Sequence, residues 1–308
     1  MIQVKNLVKN YNDIKAVQSI DFTINDGEIV GFLGANGAGK STTLKILTGY
    51  ISPTSGDVTI NGQNIQDNSY EIRKMIGYLP ESNPLYADMT VFDLLKFTAN
   101  VRNIHNNDFK SAFERVINQC GLQGVVHKKV GACSKGYKQR VGLACAMIHD
   151  PKILILDEPV TGLDPNQIVE VRELIKNLGK EKLVLMSSHI LQEIEATVDR
   201  IIIIDNGKIV ADGSTDSLLK QFMGSVNLKL SVQGATKSAL NVMSKEIENI
   251  KMHTIEKTGK TYMVNIEYNI ESDPRVEIFN YIVKNKWILL EMNPQIANLE
   301  DIFRKLTK

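Results

Sequence analysis

Short, fully apolar runs alternate with longer segments of helical period through the first two thirds of this chain, and each change of period marks an element. Residues 2–4 and 16–24 alternate or run apolar between polar turns at Asn10-Tyr11-Asn12-Asp13 and Asn25-Asp26-Gly27. Residues 1–30 therefore read as antiparallel strands. Residues 28–33 are a short apolar run, the pattern of a buried strand, and residues 43–49 have helical spacing with a glycine stop. A loop, a short strand and an Asn-Gly turn follow over residues 53–62, and a helix end passes into a strand over residues 72–79. From about Pro84 the pattern turns helical: Val91, Leu94, Leu95, Thr98 and Val101 share one face, as do Phe109, Phe113, Val116 and Ile117. Residues 134–148 predict a further helix, and we read about 84–150 as a helical insertion. Apolar strands are predicted at 152–158, 183–189 and 201–204. Strands alternating with helices imply a mainly parallel α/β sheet.

Composition shifts near Phe222-Met223-Gly224-Ser225. Beyond it, strand patterns at 227–232, 251–256, 262–267 and 287–292 interleave with helix patterns at 237–246, 275–283 and 299–306. The order β-α-β-β-α-β predicts a small ferredoxin-like domain. The expected organisation is one domain over 1–220 and an α+β accessory domain over 225–308.

Length fits this division, since 308 residues suffice for one large or two ordinary domains. A net charge of +1 gives no broad basic surface, so nucleic acid is not an expected partner. Cys120, Cys133 and Cys145 have no C-x-x-C spacing, which suits a reducing compartment better than a disulfide framework. The first residues lack the apolar core of a signal peptide, and no run approaches the roughly 18–20 apolar residues of a membrane span. If the protein works at a membrane, something else is expected to hold it there.

The chemistry centres on Gly34-Ala35-Asn36-Gly37-Ala38-Gly39-Lys40-Ser41-Thr42, which satisfies G-x-x-x-x-G-K-[ST] between a strand and a helix. Glycines let successive amides point at phosphate oxygens, and the helix N-terminus adds partial positive charge. Lys40 is expected to reach the β and γ phosphates, and the Ser41 hydroxyl to ligate Mg²⁺. The glycine order is not G-x-G-x-x-G, which disfavours a dinucleotide fold. In open α/β sheets ligands sit at the carboxyl ends of strands. Asp157 and Glu158 are predicted to lie at one such end. Asp157 is expected to hold the metal, and Glu158 to orient and deprotonate an attacking water. A mere turn or helix cap is the alternative for this pair. His189, at another strand end, is placed to sense a γ-phosphate. Tyr11 can stack on a base or simply pack at its turn.

Cys133-Ser134-Lys135-Gly136-Tyr137-Lys138-Gln139-Arg140 resembles the signature motif of ABC-type ATPases. Asp157-Glu158-Pro159 through Leu163-Asp164-Pro165 resembles that family's metal-binding strand end and D-loop, with Asp164 as the D-loop carboxylate. Ser187-Ser188-His189 is similar to its switch histidine, Gly77-Tyr78-Leu79-Pro80-Glu81 to its Q-loop, and Tyr11 to its base-stacking aromatic. The resemblance spans about residues 1–215. It implies an ATP hydrolase that binds two ATP and Mg²⁺ between two subunits arranged head to tail, as a homodimer or a paired ATPase. Ser134, Lys135, Gly136 and Tyr137 would then address the ATP on the partner's phosphate loop. Hydrolysis would release the pair by removing a bridging charge. Three departures stand out. Cys133 replaces leucine, Lys135 and Tyr137 replace glycine and glutamine, and Glu81 stands where glutamine is usual. Glu81 can still hold a metal-bound water, at the cost of extra negative charge beside the triphosphate.

Tyr78-Leu79-Pro80-Glu81-Ser82-Asn83-Pro84-Leu85-Tyr86, the signature, and the ending Leu299-Glu300-Asp301-Ile302-Phe303-Arg304-Lys305-Leu306-Thr307 resemble gliding-motility-associated ABC ATP-binding subunits, which belong with ABC-2-type exporters. The resulting expectation is an ATPase subunit, cytoplasmic and peripheral on the inner membrane, driving integral permease subunits through the insertion, with Glu81 at its entrance. The competing expectation is a soluble ABC ATPase acting on ribosomes or DNA. Against it stand a single phosphate loop and the lack of sustained heptads. A P-loop kinase leaves the signature and D-loop unexplained. No catalytic constellation is apparent beyond residue 225, where His253 and Trp287 read as core or surface.

Overall fold

The alternating start of the chain folds as a hairpin in which β1 (Ile2–Tyr11) pairs antiparallel with β2 (Ile14–Ile24), Tyr11 opposite Ile14. β1 runs further than the alternation predicts. Tyr11 ends a strand rather than sitting in the turn, and Asn12 turns the chain at a left-handed φ of +50°, which asparagine tolerates. The computed structural model describes residues 1–222, 225–269, 271–295 and 299–307. They divide into two compact units, Met1–Thr215 with Thr307, and Asp216–Leu306. Met223 and Gly224, within the expected domain boundary, lie outside the described residues.

In the first unit β3 (Ile29–Leu33) leads into α1 (Lys40–Leu47), followed by β4 (Ser55–Ile60), β5 (Gln63–Asn64), α2 (Ser69–Met75) and β6 (Ile76–Leu79). The helical segment contains α3 (Val91–Val101), α4 (Asn106–Cys120) and α5 (Lys135–Met147). Then β7 (Ile153–Asp157), α6 (Pro165–Gly179), β8 (Leu183–Ser188), α7 (Leu191–Glu195), β9 (Arg200–Asp205) and β10 (Lys208–Gly213) complete it. Two sheets result, with orders β2-β1-β4-β5 and β10-β9-β3-β8-β7-β6. The first is antiparallel. The second is parallel except for its edge strand β10. Every residue of β3, β7 and β8 is buried, which explains why their sequences run apolar instead of alternating. One core joins both sheets around α1, with Phe22 and Phe32 in ring contact at 5.8 Å.

The second unit contains α8 (Thr215–Phe222), β11 (Ser225–Gln233), α9 (Lys237–Glu246), β12 (Ile250–Thr258), β13 (Thr261–Asn269), α10 (Arg275–Lys284), β14 (Ile288–Gln295) and α11 (Leu299–Leu306). α8 begins one residue before this unit. Its sheet is antiparallel in the order β12-β13-β11-β14, the split β-α-β arrangement of a ferredoxin-like fold. Val226, Leu228, Leu230 and Val232 alternate along β11 into its core, and Trp287 packs against that core beside Tyr281. His253 is exposed and pairs with Glu267.

Candidate active site

The glycine loop bridges β3 and α1, so α1 begins at Lys40 with its first amides free of helical partners. Gly37 and Gly39 take φ of +83° and +111°. A Cβ on Gly39 would stand 2.6 Å from the Ala16 carbonyl, so glycine there admits β2 against the loop. Ala35, Asn36 and Gly37 are exposed, whereas Gly34, Ala38, Gly39 and Lys40 are buried and Ser41 and Thr42 half-buried. The Lys40 ammonium arches over the loop and donates to the carbonyls of Gly34 at 2.8 Å and Ala35 at 3.3 Å.

Asp157, at the end of β7, stands in register with Ser187 on neighbouring β8. The Ser41 hydroxyl donates to Asp157 Oδ1 at 3.1 Å, and the Ser187 hydroxyl donates to the same oxygen at 2.7 Å. The Glu158 amide donates in turn to Ser187 Oγ at 3.0 Å. Glu158 does not extend the strand. It lies just beyond β7 at φ +51°, a strained conformation of the kind that clusters at functional sites. That turn sends its carboxylate back toward the loop, 3.5 Å from Lys40 Nζ, with both side chains about 5–6% exposed. The Thr161 hydroxyl donates to Glu158 Oε2 at 2.9 Å, and His189 Nδ1 lies 2.9 Å from the same oxygen. Lys40, Glu158 and His189, far apart in sequence, thus form one cluster.

A cleft of about 710 Å³ opens over Ser41, Asp157 and Glu158, with Glu81, Lys135 and Lys138 on its walls. Glu81 is exposed on a turn closed by the Asn83 amide donating to the Pro80 carbonyl at 3.0 Å. The Tyr78 hydroxyl is buried with no hydrogen-bond partner among the described residues, and Tyr78 contributes to the wall of the same cleft. Burial, and then the Asp157 charge, push its pKa up, so it stays a neutral O–H donor. Ser41 Oγ and Asp157 Oδ1 are hard oxygen donors converging beside the phosphate loop, a set that fits Mg²⁺ completed by phosphate oxygens and water.

The other motif residues divide. Lys135 reaches into its own chain's cleft, its ammonium 2.0 Å from where a Cβ on Gly162 would stand. Ser134, Gly136, Tyr137 and Asp164 instead line a second hollow of about 400 Å³, against Gln167. Ser134 caps α5 by accepting from the Tyr137 amide at 3.3 Å. Asp164 caps α6 by accepting from the Gln167 amide at 3.0 Å, with Pro165 in the first turn. Gly136 is buried against the Gln167 side chain, whereas Tyr137 is exposed. Tyr11 is 44% exposed, and the Lys9 ammonium lies 5.2 Å from its ring centroid.

Sequence reasoning assigned no role to Ser187, Thr161 or Tyr78. Thr161, three residues after Glu158, was detectable as a local hydroxyl in a turn. Ser187 was not, because its place beside Asp157 follows from strand register.

An ABC transporter family profile matches residues 17–161. The bacitracin transport ATP-binding protein BcrA of Bacillus licheniformis is 36% identical over 99% of this chain and 97% of its own length. A solved ATP-binding subunit of an ABC transporter matches with a TM-score of 0.65 and 31% identity, over 72% of this chain and 93% of that one. A dimeric ATP-binding cassette solved in a post-hydrolysis state with ADP and Pi shares the fold, with a TM-score of 0.64 and 24% identity over 70% of this chain and 98% of that one.

Proposed function

The chain belongs to the ABC transporter family as an ATP-binding subunit, and from that premise we propose how it works: two such subunits bind two ATP head to tail and hydrolyse them to drive a separate membrane permease. It is an ATP hydrolase. The buried pair of Lys40 and Glu158, with half-buried His189 on the same carboxylate and Ser41 and Asp157 beside it, carries the reading. With a triphosphate on the loop, Lys40 exchanges its carbonyl partners for the β and γ phosphates. Ser41 and Asp157 would hold Mg²⁺, whose charge, when bound, offsets that of the phosphates. Glu158 orients and deprotonates the attacking water, and His189 holds its carboxylate while facing the γ-phosphate. Tyr11 stacks on the base. Ser134, Gly136 and Tyr137, in their separate hollow beside Asp164, address the partner's ATP through the hydroxyl and the start of α5.

The permease reading draws on the surface as well as the family. Among the described residues no helix is long and apolar enough to cross a membrane. A groove of about 410 Å³ between α2 and α3 presents Tyr50, Tyr70, Val101 and Arg102, with the first three more than half exposed. A docking surface for a permease segment there, beside the Glu81 turn, holds the subunit at the cytoplasmic face of the inner membrane. Full-length similarity to a bacitracin transport subunit supports a role in transport. Export of ABC-2 type rests on the resemblance of short sequence segments to exporter-associated subunits. The motility-associated reading rests on the short segments at 78–86, 134–137 and 299–307 alone.

Glu158→Gln should bind ATP and hydrolyse it poorly. Captured from gently solubilised membranes with Mg-ATP, it is expected to bring down a multi-span membrane protein in near-equal amount. Recovery of ribosomal or DNA-repair components alone would overturn the transporter reading.

A further inference from the structure

Asn83 lies two residues after Glu81 and is driven into the side of α5. Its Nδ2 donates to the Lys138 carbonyl at 2.9 Å and lies 3.4 Å from Gln139 Oε1. Its amide plane occupies the space where a side chain on Gly142 would begin: a Cβ there would stand 2.2 Å from Asn83 Oδ1 and 2.5 Å from Nδ2. A glycine inside a helix weakens it, so its presence mid-helix marks a packing demand. The Asn83 backbone takes φ +40°, a left-handed geometry in which asparagine is enriched. Its amide closes the turn that carries Glu81 by donating to Pro80. One residue therefore shapes the Glu81 turn with its backbone and grips α5 with its side chain. Ser134 at the start of that helix lines the hollow that we assign to the partner's ATP, while Glu81 lines the cleft over the chain's own phosphate loop.

We propose that Asn83 is a positioning residue that locks the Glu81 turn to α5 through the Gly142 notch, so that the occupancy of the chain's own ATP site sets the placement of Ser134 and Gly136 against the partner. The proposal rests on the ATP hydrolase reading above. It assigns the coupling to one hydrogen-bonded contact rather than to the insertion as a whole.

Steady-state ATP hydrolysis by the full chain tests it, with Glu158→Gln as the blank and thermal unfolding in parallel. Asn83→Ala is expected to lower kcat about tenfold and leave KM for ATP within about twofold, since placement and not nucleotide affinity is lost. Asn83→Asp keeps the shape but loses the donor to Lys138, and is expected to match Asn83→Ala. Gly142→Ala expels the amide and lowers both kcat and the unfolding midpoint. In the double variant Asn83→Ala/Gly142→Ala, the new methyl fills the vacated notch. Its midpoint is expected to return toward the native value while kcat stays low. Recovery of kcat together with stability in the double variant, or an unchanged kcat in Asn83→Ala, overturns the proposal. Absence of any Glu158-dependent hydrolysis in the native chain overturns the ATPase reading beneath it.

Discussion

Glu158 and Lys40 face each other 3.5 Å apart with both side chains almost wholly buried. Each faces the opposite charge at close range, so removing Lys40 leaves the Glu158 carboxylate to His189 and Thr161, and removing the Glu158 charge leaves the Lys40 ammonium on loop carbonyls, in a poorly solvated place. Lys40→Met is therefore expected to destabilise the nucleotide-free chain by roughly 3 kcal/mol, and Glu158→Gln by less, because the amide still accepts from Thr161. The double variant is expected to recover part of the loss. Denaturant unfolding of the three variants without nucleotide checks this; strict additivity would show that the pair is not coupled.

The two loop glycines with positive φ differ in what surrounds them. Among the described residues no atom lies within 4 Å of a Cβ position on Gly37, whereas Gly39 would meet the Ala16 carbonyl at 2.6 Å. In the nucleotide-free chain, Gly37→Ala is expected to cost only left-handed strain, about 1 kcal/mol. Gly39→Ala must push β2 away from the loop or distort the loop itself. A larger loss of stability is expected, with nucleotide binding abolished. Unfolding and fluorescent-nucleotide titration of the two variants separate the effects.

Ser134 has two tasks, and they can be parted. Ser134→Ala removes the cap of α5, at about 1 kcal/mol, together with the hydroxyl offered to a partner's ATP. Asparagine caps as well as serine, so Ser134→Asn is expected to restore stability without restoring hydrolysis. Its affinity for ATP on its own loop is expected to be native. If Ser134→Asn hydrolyses ATP normally, the side chain serves only as a cap.

His149 makes folding acid-sensitive. Its ring lies 3.1 Å from the Ile76 carbonyl through Nε2, and burial, followed by the Arg102 charge, lowers its pKa to about 4. The unfolded imidazole titrates near 6.5. Between those values the unfolded chain binds a proton that the folded chain refuses, so this contribution is complete above pH 6.5 and is lost as pH falls toward 4. The partial exposure of the ring limits its size to about 2 kcal/mol. His149→Gln, which keeps a donor for Ile76, is expected to lose less stability than the native chain between pH 7.5 and pH 5 in denaturant titrations. An equal loss would assign the sensitivity to other groups.

Local chemistry was legible in the chain because it needs only neighbours. The glycine loop between apolar strand and helix and the carboxylate at the end of β7 each lie within a few consecutive residues, and each element of the β-α-β-β-α-β second unit shows its own local period, where period and turn residues dictate geometry. Tyr11 was misplaced in a turn because β1 continues through polar positions, where pairing with β2 and not alternation holds the strand. Glu158 was expected to extend β7, and a single left-handed residue sends it to Lys40 instead. The register of β7 against β8 places Ser187 beside Asp157, and helix packing divides adjacent Lys135 and Ser134 between two hollows. The lock between Asn83 and Gly142 likewise joins residues far apart in the chain. The sequence by itself determined which chemical groups are present and which strand ends and helix starts carry them. Only the tertiary structure decided which of those groups meet, because strand register and close packing bring together residues between which the local pattern carries no information.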